Sequence, residues 1–162
     1  VVLSKEETGG SLFDKLSKAG ADLLVKTLPS IFDGTAVYEK QPEESPTPYA
    51  AMITKQMGLL DFTKSAEVLE RLVRGLNPWP SAYTFLNGKT LKVWKSRVGE
   101  EKGSALPGTV VKTDKNGIHV ACCDKTLILE EIQLEGKKRM DADAFLRGYP
   151  VEAGTKFSDK KE

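Results

Sequence analysis

Residues 76–85 read LNPWPSAYTF, and no regular helix can run through them. A proline ring lacks the N–H that a helical ladder needs and pushes the residue before it toward extended backbone. Pro78 does this to Asn77 and Pro80 does it to Trp79. The chain must therefore change its secondary structure here, and the residues on either side agree. Upstream, SAEVLERLVRGL spaces Ala66, Leu69, Leu72, Val73 and Leu76 onto one face of a helix. Thr63 or Ser65 can cap its start, and Arg71 and Arg74, three residues apart, share one flank. Downstream, apolar and polar residues alternate. Trp79 is expected to pack its ring beneath the end of the helix.

The alternation continues in short runs separated by turn residues. Asn87-Gly88 divides AYTFL from KTLKVWKSRV, and Asn116-Gly117 divides GTVVKT from IHVACC; both dipeptides favour tight hairpins. Asp124-Lys125 links IHVACC to TLILEEIQL. About five short, mostly antiparallel strands after a helix predict a mainly β fold with some α, a small partly closed barrel of the oligonucleotide-binding type, because closure removes sticky edges. Asp141 is expected to start a last helix, DADAFLRG, ended by Gly148, and the final SDKKE to fray.

Before the barrel lie two further regions. Leu12, Phe13, Leu16, Ala19, Leu23, Leu24 and Leu28 fall at helical spacing within residues 11–28, bounded by Thr8 to Ser11 and by Pro29. Their apolar stripe needs a surface that the chain does not obviously supply, so it is a candidate for self-association. Residues 34–48 then carry Pro42, Pro46 and Pro48, which reads as a semi-rigid linker, followed by a short possible helix over residues 49–57. The chain opens Val1-Val2-Leu3, which resembles the end of a strand and has no initiator methionine, so a fragment is expected.

Composition excludes several classes. The longest apolar run is well short of the roughly 20 residues a membrane helix needs, and no signal peptide is recognisable, so a cytoplasmic location without membrane association is expected. Cys122 and Cys123 would point to opposite sides of a strand, one buried and one half exposed, forming neither a metal set nor a bridge. One histidine, no glycine-rich phosphate loop and no nucleophile elbow leave no catalytic constellation.

The net charge of +1 hides an asymmetry: residues 1–60 hold 6 basic and 8 acidic side chains, whereas residues 64–139 hold 14 and 9. Lys89, Lys92, Lys95 and Arg97 share one predicted strand, and Lys137, Lys138 and Arg139 stand together before the last helix. Such clusters attract phosphates by counterion release, and equally suit a solvated face.

The order of segments, from ETGGSLFDKLSKAGADLLVKTL through LNPWPSAYTFLNGKTLKVWKS to LEEIQLEGKKRM and FLRGYPVEAG, resembles the methionyl-tRNA formyltransferase family. The resemblance implies a C-terminal remnant of an α/β catalytic domain over residues 1–33, a linker over 34–58, and over 59–162 a tRNA-binding barrel of five to six strands, the formyltransferase C-terminal domain type. It implies initiator methionyl-tRNA as partner and 10-formyltetrahydrofolate as co-substrate of the complete enzyme, with no cofactor or metal held by this chain. The family's catalytic asparagine, histidine and aspartate belong to motifs upstream of Val1, so none falls here, and His119 is not that histidine. Carried over position by position, Lys55, Arg71, Arg74, Lys92, Lys95, Lys137 and Lys138 match basic positions and are implied as phosphate contacts. Cys122 to Lys125 depart from the glycine-containing turn common in the family. Two other readings stay open: a related formyltransferase acting on a nucleotide-linked aminosugar or a folate, and a non-catalytic domain whose basic face meets an acidic protein.

Overall fold

The computed structural model describes residues 1–45 and 47–160. Helix α1 (Gly9–Phe32) is followed by a 3-10 turn (Lys55–Gly58) and helix α2 (Ala66–Gly75). Strands β1 (Ala82–Leu86), β2 (Lys89–Glu101), β3 (Val110–Asp114), β4 (Gly117–Ala121), β5 (Lys125–Leu134) and β6 (Met140–Asp141) come next, and helix α3 (Ala142–Gly148) last. The six strands form one antiparallel sheet in the order β1-β2-β5-β4-β3, with β6 beside β5.

The sheet is not closed into a barrel: among the described residues β1 and β3 do not pair with each other. The C-terminal segment covers both free edges instead. Val110 N–H donates to Thr155 O and Phe157 N–H to Gly108 O, both at 2.8 Å, while Phe85 and Ser158 exchange backbone bonds of 3.2 and 3.0 Å. Ser158 is thus a bridging residue where a frayed end is expected from SDKKE; Lys161 and Glu162 lie outside the described residues. Polarity misleads at this end because a strap bonds through its backbone, and only Phe157 is buried.

Asn87-Gly88 makes the β1–β2 hairpin with φ of 48° and 71°, the left-handed backbone that this turn requires. In the second hairpin the two turn residues are Lys115 and Asn116, one position earlier than the dipeptide suggests. Gly117 already belongs to β4 and lies so close to β5 that a Cβ there would sit 2.1 Å from Leu129 O. The connection from Cys122 to Asp124 also serves α2, since Asp124 Oδ1 accepts the Ala66 N–H at 3.0 Å beside the Ser65 cap.

Leu69 and Val73 of α2 enter the core with Leu91 and Val93 of β2, Leu127, Leu129, Ile132 and Leu134 of β5, and Phe145 of α3. Each large apolar side chain so buried contributes about 2 kcal/mol. Cys122 is buried and Cys123 exposed, as their adjacency predicts, and burial pushes the Cys122 thiol up to about 12.

At the proline corner both Asn77-Pro78 and Trp79-Pro80 are cis. Asn77 anchors it: its backbone N–H donates to Arg74 O, its side chain donates to Trp94 O at 3.0 Å, and its carbonyl accepts Gly10 N–H at 2.8 Å. Trp79, expected beneath the helix, is 60% exposed. The ring cannot fold back because the corner is already filled by Pro78 against the first turn of α1, where a Cβ on Gly10 would meet the proline ring at 2.8 Å.

α1 is longer than residues 11–28 and passes through Pro29. The carbonyl that Pro29 leaves without a helical N–H donor belongs to Val25, which is well exposed. None of the residues of α1 is buried, and Phe13, Leu16, Leu23 and Leu24 stay exposed. Val1 to Leu3 form no strand, and the stretch predicted as a helix over residues 49–57 is regular only in the 3-10 turn. The described residues of the linker lack helix and strand; Pro46, one of its three prolines, lies outside them.

Candidate nucleic-acid interface

Alternation along β2 sends Leu91 and Val93 into the core and Lys92 and Trp94 to the opposite face. A bulge after Val93 then keeps Lys95 and Arg97 on the outer side. Gln133 of β5 lies directly across from Lys92. The turn after β5 brings Lys137 and Lys138 to the same end of the sheet, pinned where Thr90 and Glu135 bond each other through Glu135 N–H to Thr90 O and Thr90 N–H to Glu135 Oε2. Trp94 is the centre of this surface: Lys92 Nζ lies 5.6 Å and Arg139 Cζ 4.6 Å from its ring centroid, within cation–π range.

The seven predicted contacts are not one cluster. The sheet gathers Lys92, Lys137 and Lys138, and none of the three has an ion-pair partner among the described residues. Lys95 points outward further along β2 but is paired with Glu130 at 3.1 Å, which Arg97 shares at 2.7 Å. Arg71 pairs with Glu67 at 3.3 Å on the exposed side of α2. Lys55 sits apart, in the 3-10 turn next to β1. Arg74 is committed to the fold, since it forks onto Glu70 and donates through Nη1 to Glu7 O at 2.9 Å. The i,i+4 spacing of Glu67 with Arg71 and of Glu70 with Arg74 is readable in the sequence, whereas the bond from Arg74 to Glu7 O is not. Arg139 is visible in the sequence as part of a basic run, but its stacking on Trp94 depends on β6 pairing beside β5.

The bond from Arg74 to Glu7 belongs to a joint between α2 and the start of α1. The Glu7 carboxylate takes Lys15 Nζ at 2.5 Å and the Ser11 hydroxyl, and these bonds hold its pKa down to about 2 from 4.5. A depressed acid pKa stabilises the folded form above the unfolded value and is lost as pH falls. The first turn of α1 is therefore expected to loosen between about pH 4.5 and about pH 2 and to be unaffected from pH 5 to 8. The Gly10 amide resonance, followed through an acid titration, checks this; a midpoint near neutrality would contradict it.

Two cavities accompany the surface. One, about 410 Å³, is lined by residues that include Lys95, Lys115, Glu130, Glu131, Asp143 and Arg147, and two of its cations are paired, Lys95 with Glu130 and Arg147 with Asp143. The other, about 760 Å³, lies between the 3-10 turn and the C-terminal strap. The buried side-chain polar atoms without a hydrogen-bond partner among the described residues, Ser96 Oγ and His119 Nε2, line neither. His119 Nε2 stands 3.2 Å from Asp114 Oδ2 without hydrogen-bond geometry. No three or more His, Cys, Asp or Glu side chains are placed to hold a metal among the described residues, and no helix there is long and apolar enough to cross a membrane.

The chain presents a helix-led antiparallel sheet with a cationic outer face. The family model for the formyl transferase C-terminal domain matches residues 52–150, and the chain belongs to that family. It resembles the C-terminal part of methionyl-tRNA formyltransferases. It is 52% identical to the one from Agathobacter rectalis over 98% of this chain and 51% of the relative. To the one from Bacillus subtilis it is 48% identical over 95% of this chain and 49% of the relative. The chain thus spans about half the length of the curated relatives it matches. Among solved structures, HypX from Aquifex aeolicus in complex with tetrahydrofolic acid shares the fold, with a TM-score of 0.61 at 13% identity over 90% of this chain and 26% of that one.

Proposed function

We propose that this chain is the RNA-holding portion of a methionyl-tRNA formyltransferase in translation initiation, working in the cytoplasm. It grips initiator methionyl-tRNA and orients it, while formyl transfer from 10-formyltetrahydrofolate takes place on a catalytic domain upstream. In this reading residues 1–33 end the catalytic domain, residues 34–58 link it to the sheet domain, and residues 59–162 hold the RNA. The exposed stripe of α1 is then the seat of the catalytic domain. The observation that carries the reading is the 52% identity to such an enzyme along 98% of the chain, and Lys92, Lys137 and Lys138, without an ion-pair partner among the described residues, support it physically.

Holding one end of a polyanion against a fixed surface converts a chance encounter into an oriented one, which lowers the entropic part of the barrier to reaction elsewhere. Lys92, Lys137 and Lys138, with Lys55 nearer the linker, supply point charges. Arg71 and Lys95 join them only by exchanging a carboxylate partner for phosphate. Contacts to about four phosphates give a log–log salt slope of about −3, so affinity for an initiator tRNA transcript is expected to fall about sixtyfold between about 50 and 200 mM salt. The isolated chain should transfer no formyl group. Salt-independent binding, or turnover by this chain alone, would overturn the reading.

A further inference from the structure

Arg139 is the most constrained cation on the outer face. Its Nε and Nη2 fork onto the two oxygens of Glu131 at 2.6 and 2.5 Å, and its guanidinium lies over Trp94 at 4.6 Å. Trp94 in turn is fixed, because its indole N–H donates to Gln133 Oε1 at 3.3 Å and its carbonyl accepts the Asn77 side chain. Gln133 completes the connection by donating through Nε2 to Lys137 O at 3.1 Å. A continuous set of contacts therefore runs from Arg139 through Trp94 and Gln133 to the backbone of the lysine turn.

We propose that Arg139 is a phosphate-contacting residue of the RNA surface, and that Trp94 and Gln133 position it against the turn bearing Lys137 and Lys138. The inference rests on the RNA-holding reading above and adds to it three residues. With one edge of the guanidinium held by Glu131, the Nη1 group has no protein acceptor among the described residues. A planar fork held by stacking and by a carboxylate surrenders little freedom when a phosphate oxygen arrives. Glu131 offsets part of the charge, but Lys92, Lys137 and Lys138 have no ion-pair partner among the described residues. Trp94 and Gln133 themselves need not touch RNA; their effect is to keep the cations of β2 and of the turn at fixed separation.

The test titrates an initiator tRNA transcript with the full chain at several salt concentrations, alongside urea denaturation. Arg139→Gln is expected to weaken binding about tenfold and to make the salt slope shallower by about one. Arg139→Lys keeps the charge but not the fork, so the slope should stay as in wild type while affinity falls about fivefold. Trp94→Phe, which keeps a ring and loses the indole donor, should bind with an affinity between those of wild type and Trp94→Leu, at the wild-type salt slope. If wild type binds with a steep slope and both Arg139 variants match it, the positioning inference fails and the RNA reading stands. If wild type itself shows no salt dependence, the RNA reading fails first. Should Arg139→Gln prove unfolded in urea, Arg139→Lys decides alone, since wild-type affinity in that variant overturns the proposal.

Discussion

A chain cut after Gly154 is expected to lose most of its stability. The removed segment donates or accepts backbone bonds at Val110, Gly108 and Phe85, and takes the Thr84 hydroxyl through Ser158 O at 3.1 Å. It also carries Phe157, only 3% exposed and set 6.1 Å from the Phe62 ring. Burial of the phenyl group contributes about 2 kcal/mol, and each bond about 1 kcal/mol net. The sum, about 7 kcal/mol, exceeds the whole margin of a marginal domain. The milder Phe157→Ala should cost about 3 kcal/mol. Urea denaturation followed by circular dichroism measures both, and an unchanged midpoint in the shortened chain would mean that the tail is as loose as its polar sequence suggests.

The second large effect concerns Gly9. On helix propensity alone, alanine at the start of an exposed helix would be neutral or favourable by up to about 1 kcal/mol. The structure reverses that sign, because a Cβ at Gly9 would stand 2.3 Å from the backbone oxygen of Gly75. Neither backbone can yield, so the start of α1 must part from the end of α2. Gly10 N–H then leaves Asn77 O, and Arg74 leaves Glu7 O. Those two bonds together are worth about 3 kcal/mol, so protection of the Gly10 amide from hydrogen exchange should fall about a hundredfold. The urea midpoint of the sheet should hardly move, since no residue of α1 is buried. Gly20→Ala is the control: nothing lies within 4 Å of its Cβ, and the helix should gain stability. Wild-type protection of Gly10 in Gly9→Ala would contradict the joint.

What the sequence made legible was local. The two prolines ended α2, the first Asn-Gly pair made its hairpin, and the apolar stripe of α2 faced the core, because each depends on residues within one turn or one strand. Barrel closure was not legible: whether β1 meets β3 depends on the length of β2 and on a strap from the other end of the chain. Trp79 misled for the same reason, since the space beneath the helix is taken by residues from the start of the chain. At the candidate site, the basic run at residues 137–139 was plain, but its partners were hidden. Glu130 takes up Lys95 across the sheet through a contact that no periodicity reveals, while Trp94 receives Arg139 only because β6 lies beside β5.

The two attachments of the N-terminal region have a mechanical consequence. α1 runs 24 residues, about 36 Å, away from the corner, and the chain comes back along the linker to seat Leu60 on Tyr83 O at 2.8 Å. One foot of this arch therefore stands at Asn77, in the corner between α2 and β1, and the other on β1 itself. A body riding on the arch would rock about the line between those footholds and would not swing freely, so its reach over the cationic face would be set by the span of a rod and not by the wandering of a tether.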